Sequence, residues 1–175
     1  LKKIKLNYPE IIIIGDGTQF LGGHFFNFQD SPFDFIAASG YKWLMSGFGN
    51  GLFMISDNFF DYTRTNESIL LEKIFDGHSD LLGIESLNYS INNLRKKDFK
   101  SLIIKKKETT SILKNSLKEL KLLDDFSTKR KKHSSIFNIK LSEKEFKFLI
   151  KNNVRCVQRG DGVRISLHFY NSKED

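Results

Sequence analysis

Cysteine is almost missing from this chain: Cys156 stands alone among 175 residues. That excludes an internal disulfide framework and the cysteine spacing of a zinc finger, and it leads us to expect a reducing, cytoplasmic setting. Long hydrophobic runs are missing too. No apolar stretch reaches the length that spans a bilayer, so no membrane partner is expected. The start, Leu1-Lys2-Lys3-Ile4-Lys5, leads into only a short hydrophobic run and does not read as a signal peptide. His24, His78 and His133 lack metal-ligand spacing to a carboxylate or to a second histidine, so no metal site is expected. No internal repeat is visible. There is no initiator methionine and the chain stops in Lys173-Glu174-Asp175, so the expectation is a piece of something longer.

What is present reads as globular. Hydrophobic residues make up 39% and charged residues 28%, which separates the chain from disordered sequences. Seventeen phenylalanines supply material for real cores, and the length suffices for one domain or for part of a larger protein. The formal charge of +7 is carried by runs such as Lys105-Lys106-Lys107 and Lys129-Arg130-Lys131-Lys132. These runs read either as a footprint for nucleic acid or an anionic membrane, or as solvated helix faces and a basic loop. They lack the interleaved aromatics of a single-strand stacking platform, so the solvated reading leads and no nucleic-acid partner is expected.

Three apolar runs in the first third read as strands: Ile11 to Ile14, Phe33 to Ala38 and Leu52 to Ser56. Continuous rather than alternating apolarity predicts strands covered on both faces, as in an α/β sheet, with ligands at the strand ends. The middle predicts a broadly apolar helix through Leu81, Leu82, Ile84, Leu87, Tyr89, Ile91 and Leu94, with Ser79 as its cap. A second amphipathic helix carries Ile103, Ile112, Leu113, Leu117, Leu120 and Leu123 among lysines. From about Phe126 the pattern is strand, helix, strand, strand. The pieces are Ser135 to Leu141, a helix opened by a capping box at Ser142-Glu143-Lys144-Glu145, then Val154 to Gln158 and Val163 to His168 around a Gly160-Asp161-Gly162 turn.

A few residues stand out chemically. Lys42 sits in Ser39-Gly40-Tyr41-Lys42-Trp43 with Phe35, Ile36, Trp43 and Leu44 nearby, a frame whose desolvation would suit a Schiff-base lysine. By itself a lysine in such a place is more often an ordinary loop lysine. Asp16 and Gln19 lie three apart at a strand end, where a carboxylate could pair with a protonated ring nitrogen and an amide with a ring oxygen. Read alone, Asp16-Gly17 is a turn. Gly47-Phe48-Gly49-Asn50-Gly51 could bring backbone close to a ligand or could simply be a flexible turn. Arg164 should face the side opposite Val163 and Ile165, suiting bidentate carboxylate capture or an edge position facing water. His168 and Asn171 follow it closely. Cys156 has no His or Asn constellation in sequence and reads as a small strand residue.

Taken in order, four blocks resemble the class V aminotransferase family of pyridoxal-phosphate enzymes, which includes cysteine desulfurases and selenocysteine lyases. They are Gly15-Asp16-Gly17-Thr18-Gln19, Phe33 through Leu44, Gly49-Asn50-Gly51, and Val163 through Asn171. The resemblance implies the C-terminal part of a fold type I large domain with a mixed sheet over 1–100. A long connecting helix and a small, truncated α+β domain would follow over 101–175. It implies pyridoxal phosphate as cofactor, an amino acid as substrate, and a homodimer. Asp16 would hold the pyridinium nitrogen, Gln19 the ring hydroxyl, and Ser39 the phosphate. Lys42 would carry the cofactor as a Schiff base and shuttle the α-proton, and Arg164 would hold the substrate carboxylate.

Three departures accompany it. Tyr41 stands where the family usually has a phosphate-binding histidine. Gly77-His78 stands where a Gly-Thr pair reaches the neighbouring subunit's phosphate, so His78 would have to substitute. Cys156 lies only eight residues before Arg164, inside a predicted strand, against a persulfide mechanism. The resemblance also begins in mid-domain, without an upstream phosphate loop or ring-stacking aromatic, so the expectation is a fragment inactive alone.

Overall fold

The computed structural model describes residues 1–74 and 80–175. They form two compact units, Leu1–Phe99 and Lys100–Asp175, each mixed α and β.

The first unit is built on a small sheet of β1 (Ile14–Asp16), β2 (Phe35–Ser39) and β3 (Gly51–Ile55), in the order β1-β2-β3. β1 runs parallel to β2, with Asp16 opposite Ala37, and β3 runs antiparallel, with Phe53 opposite Ala37. Helix α1 (Lys2–Asn7) precedes the sheet; α2 (Asp57–Thr63), α3 (Glu67–Ile74) and α4 (Leu81–Lys96) follow it. Side chains alternate across a strand, so Ile36 and Ala38 share one face and Phe35, Ala37 and Ser39 the other. The first face is core: Ile36 is 1% exposed. The second face is open, and Ile14 on it is 66% exposed.

That openness corrects the expectation of strands covered on both faces. The run Ile11 to Ile14 is also not a strand along its length. A strand exists only where a partner offers hydrogen bonds, and β2 pairs with Ile14 to Asp16 alone. The other two strands shift by one or two residues, to Phe35–Ser39 and Gly51–Ile55, for the same reason.

Asp34, just before β2, is buried with its side chain fully used. It accepts from Lys5 Nζ at 2.8 and 3.0 Å, from the Ile13 N–H at 2.8 Å and from Asn58 Nδ2 at 2.7 Å. One carboxylate thus ties α1, the approach to β1 and the start of α2. Burial pushes the Asp34 carboxyl upward, but the bonds from Lys5, Asn58 and Ile13 outweigh it and leave it below the usual range.

Helix α4 forms as predicted but is capped by Asp80, whose carboxylate accepts from the Gly83 N–H at 3.0 Å. The predicted cap Ser79 lies outside the described residues. The helix does not bury its apolar set: Leu94 is buried, whereas Leu81, Leu82, Ile84 and Tyr89 are exposed. Ser90 donates to the Leu44 carbonyl and Ser86 accepts from the Gly47 N–H, which fastens α4 to the loop after β2.

The second unit contains α5 (Phe99–Glu119), α6 (Asp125–Lys129), β4 (Ile136–Ile139), α7 (Glu143–Lys151), β5 (Val157–Arg159) and β6 (Gly162–Ser166). Its antiparallel sheet has the order β4-β6-β5. Leu117, Leu123, Phe137, Ile139 and Val163 form its core, with Leu113, Phe146, Cys156 and Ile165 packed against them. The capping box is present: Ser142 Oγ accepts from the Glu145 N–H, and Glu145 accepts from the Ser142 N–H at 2.7 Å. Gly160 at φ +60° opens the two-residue turn between β5 and β6, the glycine position of a type II′ hairpin. The ladders trim the expected Ser135 to Leu141 at both ends and shift the other two strands, β5 ending at Arg159 and β6 starting at Gly162, and Cys156 falls just before β5 rather than inside a strand. Leu120 and Ile112, expected on the buried face of α5, are exposed, while Lys106 is buried.

Candidate functional site

Two adjacent parallel strands, β1 and β2, deliver Asp16 and Ser39 to one end of the first sheet. Both residues line an open trough of about 510 Å³ over the uncovered sheet face, floored by Phe35, Ala37 and Phe53. The trough thus combines an apolar floor with a polar end and is open along one side rather than enclosed.

Thr18 ties the two strand ends together. Its N–H donates to Asp16 Oδ1 at 2.9 Å, and its Oγ1 accepts from the Ser39 N–H at 3.3 Å. The Thr18 N–H and hydroxyl hold the Asp16 carboxyl below the usual carboxylate range, and the positive charge of Lys42 lowers it further. Asp16 is therefore a carboxylate at neutral pH, with Lys42 near enough for their charges to interact. Thr18 had no role in the sequence reading. Its position two residues after an Asp, the spacing of an Asx turn, was the signal.

Lys42 is held by a closed loop. The Gly40 N–H donates to the Asn50 carbonyl at 3.2 Å, the Ser46 N–H to the Gly40 carbonyl at 3.1 Å, and Ser46 Oγ to Asn50 Oδ1 at 2.6 Å. A side chain at Gly40 would collide with Ser46, Asn50 and Leu87, so glycine is required directly before Tyr41 and Lys42. Trp43 and Leu44 are buried and pin the loop from beneath. Lys42 itself is half-buried, with Nζ 5.5 Å from the centre of the Tyr41 ring, within cation–π reach. Gly47 to Gly51, read as a flexible turn or a ligand-approaching backbone, is part of this closure, since Asn50 Nδ2 donates to the Gly47 carbonyl at 2.8 Å.

The remaining predicted residues are less tightly gathered. Gln19 sits exposed in the turn after Asp16 and is not among the residues lining the trough. Tyr41 is exposed and packs on Phe48, their ring centres 5.2 Å apart. His78 lies outside the described residues. Arg164 belongs to the second unit. It occupies the central strand β6, opposite Asn138 and Val157, on the face away from buried Val163, so the expected facing is seen and the edge position is not. Burial pushes the Cys156 thiol up, which favours the thiol over the thiolate at neutral pH. Among the described residues, no group of three His, Cys, Asp or Glu could hold a metal ion. No helix among them is long and apolar enough to cross a membrane.

No family model and no curated protein matches the chain.

Proposed function

We propose that this chain is part of a pyridoxal-phosphate-dependent enzyme acting on an amino acid, of the class V aminotransferase type and fold type I. One observation carries the reading: Asp16 lines the end of an aromatic-floored trough, and Lys42, from a separate sequence block and not itself a lining residue, lies near enough for its charge to act on that carboxylate. A trough of this size, with an ionised carboxylate and the Ser39 hydroxyl along it, suits a flat, cationic, phosphorylated ring.

In this reading the cofactor supplies an electron sink for a carbanion at the substrate's α-carbon. The chain's own residues do the rest. Asp16 keeps a ring nitrogen protonated through its carboxylate, which Thr18 holds ionised. Ser39 donates its hydroxyl to a phosphate. Lys42 would hold the cofactor through Nζ, and its amine would move the proton at the α-carbon. Arg164 orients the substrate by its carboxylate. A homodimer belongs to the same reading, and exposed Phe48, Leu81 and Leu82 are apolar surface available to a second copy. The raised Cys156 thiol weighs against the desulfurase branch.

The test is spectroscopic and uses the longest product of the gene. Titration with pyridoxal phosphate should produce a visible absorbance band that Lys42→Ala abolishes. Amino acids should then shift the band, and Arg164→Ala should weaken that shift about tenfold or more in half-saturating concentration, as loss of a charged hydrogen-bonded pair does. A band that survives Lys42→Ala sinks the assignment, and equal amino-acid affinity in Arg164→Ala sinks the role of Arg164.

A further inference from the structure

The chain's positive charge is not spread evenly. Residues 100–175 hold 19 Lys and Arg against 9 Asp and Glu, a formal +10, whereas residues 1–99 are net −3. An asymmetry of that size between two units is the electrostatic mark of a polyanion partner.

Within the second unit the charge is also aligned. An α-helix turns 100° per residue, so Lys100, Lys107, Lys114 and Lys118 of α5 fall within about 40° of one another on a single face. At about 1.5 Å per residue the row is roughly 27 Å long. The face about 90° round the helix from the row is spent on the interior: Lys106, Thr110 and Leu117 are buried there, and Leu113 packs on the core. Lys114 Nζ donates to the Arg130 carbonyl, which joins the row to the exposed loop of Lys129, Arg130, Lys131 and Lys132. Glu108 and Glu119 point well away from the row at this helical pitch.

We propose that this row and loop form one binding surface for the phosphate backbone of a nucleic acid. The partner's chemistry follows from what accompanies the cations. The row offers ammonium groups, which neutralise phosphates without reading bases. The exposed Phe126 ring, with the Arg130 guanidinium 5.6 Å from its centre, adds one surface on which a base can stack, favouring a single strand. An anionic bilayer is the weaker match, because an interfacial helix inserts a continuous apolar face, and the exposed Ile104 and Ile112 of α5 are separated around the helix by Glu108 and Glu119. The surface is independent of the Lys42 site and stands or falls without it.

Fluorescence anisotropy of the full chain with a labelled single strand about 20 nucleotides long is the test. Two quadruple variants are compared: Lys107→Gln, Lys118→Gln, Lys131→Gln and Lys132→Gln on the surface, and Lys140→Gln, Lys144→Gln, Lys151→Gln and Lys173→Gln away from it. All eight lysines are exposed, and circular dichroism checks that both variants fold. Removing four phosphate contacts should flatten the slope of log affinity against log salt by about 3, and should weaken binding at least about tenfold. The control set should change the slope by less than about 1. Equal losses in both variants would show that affinity follows net charge and overturn the surface. So would absence of salt-dependent binding by the unsubstituted chain, or tighter binding to phosphatidylserine vesicles than to the oligonucleotide.

Discussion

Asp34 and Lys106 show how one side chain's surroundings decide what it does to stability. Asp34→Ala leaves the Ile13 N–H and Asn58 without their acceptor and the Lys5 ammonium with only the Ile11 carbonyl, and should cost about 2 to 4 kcal/mol in urea unfolding. Because the folded carboxyl lies below its unfolded value near 4, the contribution is complete above that value. It is lost as pH falls through the folded value, so the gap between wild type and Asp34→Ala should close on acidification. Lys106 works in the opposite sense. Burial lowers its amine to about 8, so the folded protein releases a proton that the unfolded chain keeps up to about 10.4. The cost of charging it is full below pH 8 and vanishes as pH rises toward 10.4. Relative to wild type, Lys106→Met should fare progressively worse in urea unfolding as pH rises from about 8 toward 10.4, because the wild type sheds that cost and the variant has none to shed. Neither residue was legible in the sequence. Asp34 reads as part of an apolar run, and Lys106 sits in a triple lysine where nothing but three-dimensional burial separates it from its neighbours.

At the level of elements, signals that act within one turn of chain were legible, and signals that need a distant partner were not. Ser142-x-x-Glu145 announces a capping box because both partners are three residues apart, and the structure forms it. Ser142→Ala should cost about 1 kcal/mol, measurable by thermal or urea unfolding. Gly160 likewise marks its own turn, and Gly160→Ala at φ +60° should cost a similar amount. Strand ends needed more. Ile11 to Ile14 is as apolar as a strand should be, yet the ladder begins at Ile14 because β2 begins opposite it at Phe35. Helix α4 taught the same lesson about burial. Its apolar pattern gave the helix, but the exposed Leu81 and Leu82 show that the pattern does not say what covers it.

For the whole molecule, the candidate site was legible as separate blocks and its assembly was not. Asp16 and Lys42 stand out from their neighbours in sequence, and Ser39 only through the family resemblance, but it is the parallel pairing of β1 with β2 that brings Asp16 and Ser39 to one end of one trough. Thr18 links them: its N–H bond to Asp16 is a local Asx-turn contact, whereas its bond from the Ser39 N–H exists only once the strands are paired. Arg164 lies in a separate unit, and its part in the chemistry rests on the substrate test rather than on geometry. The account therefore turns on Lys42. The most direct measurement is to incubate the longest product of the gene with pyridoxal phosphate, reduce it with borohydride, and map modified peptides by mass. The account predicts a stoichiometric pyridoxyl adduct on Lys42 and little on other lysines. An unmodified Lys42 in folded, cofactor-supplied protein, or label spread evenly over the surface lysines, would contradict it.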